Sequence, residues 1–461
     1  MKGLAVIVLA AGLGTRMKSS LAKVLHPLAG RPMLLHTLDN ILALKPEKTL
    51  VVLGHQADKV AARLPKGVTV AIQKEQLGTA HAAMAGLKKL GAFSGTLLLV
   101  SGDTPLLEPD TFKAFVGAHK KAKAAVSILT EYLDDPTGYG RIVRDSRDKV
   151  TRIVEQKDAS AEERSIKEIN SGTYCFDVKA LKAALKKVKT DNSQNEFYLT
   201  DVAAITNSNG GKVIGYWAGS KMEAMGINSR VDLSRAEWVI RYKTNGRLMT
   251  SGVTIIDPGS TYIDSSVSIG RDTTVYPGNH ITGDTKIGEG CTLMPGCIID
   301  NCTIGDGVTI KPYSVLEKAV IEHGAAIGPF AHLRPGSTVG DGARVGNFVE
   351  LKKTVLGRGS KASHLSYLGD AVIGNGVNIG AGTITCNYDG YNKFQTVIGD
   401  GTFVGSDTQF IAPVTVGKGA VIAAGTTVTK DVPGDALAIS RTPQTNKHGW
   451  AAKNRQMKNK K

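Results

Sequence analysis

The stretch from Leu9 to Pro27, Leu-Ala-Ala-Gly-Leu-Gly-Thr-Arg-Met-Lys-Ser-Ser-Leu-Ala-Lys-Val-Leu-His-Pro, holds the residues best equipped for chemistry. Gly12 and Gly14 allow a tight turn and bring bare backbone N–H groups against a ligand, and Arg16 and Lys23 add cations at the same mouth. That combination suits a polyphosphate. It is not a Walker A loop, because Thr15-Arg16 stands where Lys-Ser/Thr should follow the last glycine. Nor is it a dinucleotide fingerprint, because Met17 replaces the third glycine.

Three further places carry chemistry. Gln73, after the expected strand Val68 to Ile72, has an amide able to pair with a pyrimidine edge, and it opens the run Gln73-Lys74-Glu75-Gln76-Leu77-Gly78-Thr79-Ala80-His81. His81 there reads as a packed or capping residue. Asp103, after the apolar strand Thr96 to Val100 and beside Gly102, offers a carboxylate suited to a hard cation bridging phosphate oxygens. Far downstream, His364-Leu365-Ser366-Tyr367 lies between Lys352-Lys353 and Lys393. That places a base between cationic loops.

The elements that must hold these residues follow from length and pattern. A chain of 461 residues exceeds one ordinary core, so two or three domains are expected. To about residue 226, short apolar strands alternate with helical stretches: Leu4 to Leu9, Val51 to Leu53, Thr96 to Val100, Ala125 to Leu129 and Gly172 to Phe176. This argues a mostly parallel α/β sheet with its ligands at the carboxyl ends of the strands. Ser229 to Asn245 then reads as a helix, opened by Ser229 and Asp232 as a capping box and stopped by Asn245-Gly246.

Beyond about residue 250, aliphatic residues recur every sixth position, as at Ile269, Val275, Ile281, Ile287, Leu293 and Ile299, and again from Ile321 to Leu351. A sustained period of six marks a solenoid in which three hexads make one triangular coil. Two stretches are expected to interrupt it, Asn347 to Asp370 and Thr385 to Lys393.

Composition narrows the partners. The five cysteines form no C-x-x-C pair and no metal spacing, and no secretory leader opens the chain, so a reducing cytoplasm is the expected home. No run approaches the roughly 18 apolar residues of a membrane span. The formal charge of +16 calls for anionic partners, and its one dense patch is Lys453, Arg455, Lys458, Lys460 and Lys461, read as a solvated, disordered end. No aromatic-and-basic platform accompanies it, so no specific nucleic acid is expected.

Gly-x-Gly-Thr-Arg-Met followed by Lys-Val-Leu resembles the signature of sugar-nucleotide pyrophosphorylases, and the hexad array resembles hexapeptide-repeat acyltransferases. Gly138-Tyr139-Gly140-Arg141, Val154-Glu155-Gln156-Lys157, Ile169-Asn170-Ser171-Gly172, Asn195 to Asp201 and Gly226-Ile227-Asn228-Ser229 extend the first likeness. With both motif sets in this order, the chain is similar to the bifunctional bacterial uridylyltransferase/glucosamine-1-phosphate acetyltransferases, which make UDP-N-acetylglucosamine for cell-wall precursors. One departure is Ser101, where many relatives place tyrosine.

The resemblance implies an α/β nucleotidyltransferase domain with a Rossmann-like, mostly parallel sheet at 1–226, a helical linker at 227–247, and a left-handed parallel β-helix at 248–461. It also implies a homotrimer built through the β-helix. Acetyl transfer from acetyl-CoA to glucosamine 1-phosphate would come first, then uridylyl transfer from UTP with release of pyrophosphate. His364, Lys23 and Arg16 would be catalytic, and Mg²⁺ would sit on Asp103 and Asn228. UTP and its sugar would meet Leu9, Ala10, Ala11, Gly12, Lys23, Gln73, Gly78, Thr79, Gly140, Glu155, Asn170 and Asn228. Glucosamine 1-phosphate would meet Arg334, Lys352, Tyr367, Asn378 and Lys393, and acetyl-CoA would meet Ala381, Asn387, Tyr388, Ser406, Ala424 and Arg441.

Overall fold

An unbroken aliphatic run is at home only between two covered faces, and Leu4–Ala10 is a central strand of a sheet buried on both sides. In the computed structural model, which describes residues 1–458, the chain divides into two units, Met1–Arg241 and Tyr242–Lys461. The sheet of the first unit runs in the order Val213–Trp217, Val126–Tyr132, Glu168–Asp177, Thr96–Ser101, Leu4–Ala10, Lys48–Leu53, Thr69–Ile72. Neighbours are parallel except Glu168–Asp177, which is antiparallel to both of its partners.

Alternation along Leu4–Ala10 divides the core. Leu4, Val6 and Val8 pack with Leu34, Leu38, Phe112 and Phe115 from the helices Met33–Leu42 and Pro109–Ala122. Ala5 and Ile7 face the other side, with Ala83 and Leu87 of Thr79–Leu90. Leu9 pairs with Val52 on one side and Ser101 on the other, so the turn after Ala10 and the Gly102-Asp103 corner leave the sheet at one edge.

The second unit is a three-sided parallel β-helix. Each short strand pairs with the one a coil later: Val275 with Leu293 and Leu293 with Ile310, which are 18 and 17 residues on. The aliphatics of the period-six pattern point inward, and the column Val275, Leu293, Ile310, Ile327, Val345, Ala362, Ile379, Val404, Ile422 is buried throughout. Asn347 to Asp370 does not interrupt this ladder, contrary to expectation. Leu351, Leu356, Ala362 and Leu368 keep the inward places, because Lys352, Lys353 and His364 stand at outward or corner positions where bulk costs no core volume. The second stretch is a true excursion, since Ile379 pairs with Val404, 25 residues on, while Thr385 stays inward opposite Phe410.

Coils approach closely at the corners. A Cβ on Gly346 would stand 1.9 Å from the Ser363 carbonyl oxygen. Gly346→Ala is therefore expected to destabilise this unit by about 1–3 kcal/mol, the cost typical of overpacking, measured as a fall in the urea midpoint.

The unit boundary falls inside the helix Arg230–Thr250. Its start is capped as the sequence suggests: Asp232 Oδ2 accepts from the Ser229 N–H at 2.9 Å and the Asp232 N–H donates to Ser229 Oγ at 3.2 Å. Its end is not, for the helix runs through Asn245-Gly246. The buried Asn245 amide donates to the carbonyls of Pro258 and Thr261, so tertiary partners hold the residue that was expected to break the helix. The basic end is likewise not disordered up to residue 458. Trp450–Lys458 is an exposed helix, consistent with its Ala, Gln, Met, Lys and Arg content, while Lys460 and Lys461 lie outside the described residues.

Candidate functional site

The carboxyl edge of the sheet in the first unit borders a cleft of about 740 Å³. Its walls include Leu9, Ala10, Ala11, Gly12, Arg16, Lys23, Gln73, Gly78, Thr79, Asp103 and Glu155. Gly14 has φ 64° and precedes the turn of 3₁₀ helix Thr15–Met17. A Cβ at Gly14 would stand 2.6 Å from Lys23 Cβ, so glycine is required both for the backbone conformation and for the space that Lys23 occupies.

The Lys23 ammonium donates to Asp103 Oδ2, and to Asn228 Oδ1 at 2.9 Å, while Arg16 Nη2 donates to the same Asn228 oxygen at 2.7 Å. Four residues from three distant segments thus form one hydrogen-bonded cluster at the mouth of the glycine turn. Asp103 and Asn228 offer hard oxygens that converge on a single cationic group, which is the donor set Mg²⁺ accepts when phosphates and water complete its octahedron. Among the described residues no group of three or more His, Cys, Asp or Glu is placed to hold a metal ion.

Farther along the cleft, Gln73 is buried and its amide donates to the Gly78 carbonyl at 3.2 Å. His81 Nδ1 lies 2.9 Å from the Glu75 carbonyl oxygen and 3.2 Å from Gln73 Nε2, the packed role expected of it. Thr79 Oγ1 accepts from the Leu199 N–H, which ties the helix Thr79–Leu90 to the segment Asn195 to Asp201. Burial raises the pKa of Glu155, and Thr200 donates a hydrogen bond to its carboxylate.

Gly140, Asn170 and Asn228 are not on the cleft wall itself. A Cβ on Gly140 would lie 3.6 Å from both Glu155 Oε2 and Asn170 Cβ, and Asn170 spends its amide on Tyr174 Oη and the Gly172 N–H. Sequence reasoning missed Arg141. Fully buried, it donates to the Tyr139 carbonyl and to Gln156 Oε1, which also accepts from the Gly138 N–H. Its guanidinium thereby braces two loops of the cleft, and only its place in Gly138-Tyr139-Gly140-Arg141 could have signalled it.

In the β-helix, His364 is exposed at a corner with Nδ1 2.8 Å from Asn347 Oδ1. The same corner continues upward by backbone bonds, from the Gly382 N–H to Leu365, from the Asp407 N–H to Ala381, and from the Gly425 N–H to Ser406. Arg441 closes the column by donating to the Ala424 carbonyl at 3.0 Å. His364, Ala381, Ser406, Ala424 and Arg441 therefore line one corner of one chain.

A second cluster occupies a neighbouring face. Arg334 pairs with Glu350 at 2.9 Å and Lys352 with Asp370 at 2.8 Å, and Asp370 also accepts from the Asn387 amide. The Asp370 bond raises the pKa of Lys352, whereas the neighbouring Lys352 lowers that of Lys393. The Tyr367 ring lies over Gly369 in this cluster. Asn378 is not brought to it, for it belongs to the sheet carrying Lys361 and Phe403. Asn387 and Tyr388 are likewise apart from the Ala381 corner, in the loop beside Asp370.

Comparison with known proteins finds relatives of both units. The Nucleotidyl transferase family matches residues 5–214, and Bacterial transferase hexapeptide (six repeats) matches residues 284–318, 318–353 and 395–430. A "Bifunctional protein GlmU" of Trichlorobacter lovleyi is 52% identical over 453 residues, 98% of each chain. Those of Geobacter metallireducens and Geobacillus thermodenitrificans are each 51% identical, over 99% and 96% of this chain and 100% and 96% of theirs.

Proposed function

This chain belongs to the GlmU family of bifunctional transferases, and on that premise we propose that its two units perform successive steps toward UDP-N-acetylglucosamine. The left-handed β-helix acts first. An amine with a pKa near the ~8 of an α-amino group is largely protonated at neutral pH and needs a base to become a nucleophile. His364 takes that proton as the amine nitrogen of glucosamine 1-phosphate bonds to the thioester carbon of acetyl-CoA; the C–S bond breaks, its electron pair leaves with sulfur, and the thiolate takes up the second proton that nitrogen loses in becoming an amide. Arg334, Lys352 and Lys393 hold the sugar phosphate, with Tyr367 and Asn378 against the sugar. Ala381, Asn387, Tyr388, Ser406, Ala424 and Arg441 receive CoA.

The α/β unit then activates the product. The phosphate of N-acetylglucosamine 1-phosphate attacks the α-phosphorus of UTP in line and pyrophosphate departs, a transfer that depends on positioning and on neutralised charge. Arg16 and Lys23 bind the triphosphate, Gln73 meets uracil, and Gly140, Glu155 and Asn170 hold the sugar. Asp103 and Asn228 hold Mg²⁺, which when bound supplies positive charge against the phosphate oxygens. The observation that carries this reading is the joining of Arg16, Lys23, Asp103 and Asn228 at the glycine turn.

A homotrimer completes the acetyl-transfer pocket in this reading, since one prism keeps Asn378 on a different face from Arg334, Lys352 and Tyr367. Five free cysteines fit a reducing cytoplasm, and among the described residues no helix is long and apolar enough to cross a membrane.

The test is incubation with acetyl-CoA, glucosamine 1-phosphate, UTP and Mg²⁺, with products read by mass spectrometry. UDP-N-acetylglucosamine and free CoA are expected. Pyrophosphate release without thiol release would leave the β-helix as a scaffold and overturn half of the reading. Gly14→Ala, which forces Lys23 aside, is expected to slow uridylyl transfer about 100-fold in a pyrophosphate-release assay.

A further inference from the structure

His364 ends the strand Lys361–His364, and its register partner in the preceding coil is Asn347, the last residue of Arg344–Asn347. Asn347 Oδ1 stands 2.8 Å from His364 Nδ1. An amide oxygen has no proton to give, so Nδ1 is the donor, and the neutral ring keeps its lone pair on Nε2. The two residues are locked in register. The Leu365 N–H donates to the Asn347 carbonyl at 3.0 Å, and Ser366 Oγ donates to the His364 carbonyl at 2.8 Å. Gly346 permits the close approach of the two corners that brings the side chains together.

Resting on the reading of His364 as the base of acetyl transfer, we propose that Asn347 is a positioning residue that holds the imidazole as the Nδ1–H tautomer and aims Nε2 at the substrate amine. A free neutral imidazole favours the opposite tautomer, with the proton on Nε2 and no lone pair there to receive another. Asn347 reverses that preference by accepting from Nδ1. It also stops rotation of an exposed ring that would otherwise sample several rotamers. When the ring takes the amine proton, the same amide oxygen faces the imidazolium and stabilises it. No part of Asn347 needs to touch either substrate.

The experiment compares the full-length wild type with Asn347→Leu and Asn347→Asp by acetyl-transfer kinetics and by ¹⁵N NMR of the imidazole rings, with His364→Ala used to assign the His364 signal. In the wild type the neutral His364 ring is expected in the Nδ1–H form. In Asn347→Leu it is expected to shift toward Nε2–H, with kcat lowered about 10- to 100-fold and KM for both substrates within about twofold. Asn347→Asp, whose oxygen also accepts from Nδ1, should keep the Nδ1–H signal and most of the rate. An Nε2–H ring in the wild type, or wild-type kcat in a folded Asn347→Leu, overturns the inference. Should Asn347→Leu not fold, an Nε2–H ring in Asn347→Asp overturns it instead. A wild-type protein without acetyl transfer would sink the functional reading alone, because the ring signal would still report the tautomer.

Discussion

His364→Ala is expected to lower kcat for acetyl transfer by about 10²- to 10⁴-fold, the range supplied by a positioned general base. The ring is exposed, and its corner leads straight into the column of Ala381, Ser406, Ala424 and Arg441. Alanine removes the proton acceptor and little else. Arg334, Lys352 and Lys393 sit on a neighbouring face with their own partners, so KM for glucosamine 1-phosphate should change little. Uridylyl transfer should stay near the wild-type rate, because the residues assigned to it all lie in Met1–Arg241. Free thiol and pyrophosphate, followed on one preparation, check both halves of the statement. Equal loss of the two activities would contradict a division of labour between the units.

Lys23→Ala should do the reverse, lowering kcat for uridylyl transfer by about 10²- to 10³-fold while acetyl transfer persists, a magnitude typical of losing one charge-stabilising donor. The residue has two tasks in the geometry. Its ammonium stands at the mouth of the glycine turn, where the proposed triphosphate would bind, and it bonds to both Asp103 and Asn228, so the substitution removes a cation and also the group on which those oxygens converge. Lys23→Arg should recover only part of the activity. The side chain leaves the backbone directly beneath Gly14, and a planar fork does not reproduce a compact ammonium placed between two oxygens. Pyrophosphate release at saturating UTP reads the effect as kcat. A Lys23→Ala protein with wild-type kcat would remove Lys23 from the catalytic group and with it the assignment of the cluster.

Where the sequence was legible, the signal was local or periodic. Leu4–Ala10 is apolar at every position because both of its faces are covered, and the hexads of the β-helix repeat because every coil has the same inside. Where it was misleading, a distant partner had taken over a residue with a strong local meaning. Asn245-Gly246 reads as a stop, yet carbonyls of Pro258 and Thr261 hold Asn245 in the helix. Asn347 to Asp370 reads as a break in the repeat because polar side chains crowd it, but their bulk lies outside the ladder of Leu351, Leu356 and Leu368. Arg141 carried no signal of its own, since a buried guanidinium is understood only from the Tyr139 and Gln156 acceptors around it.

Alone, the sequence determined the two architectures and the chemical kinds of residue at each site, because periodicity, glycine turns and charged motifs are properties of neighbours along the chain. The tertiary structure decided which of those residues meet. Arg16 and Lys23 reach Asn228 across more than two hundred positions, and Asn347 reaches His364 across one coil. Hydrogen bonds form between groups adjacent in space, and only the stacking of strands and coils makes these groups adjacent.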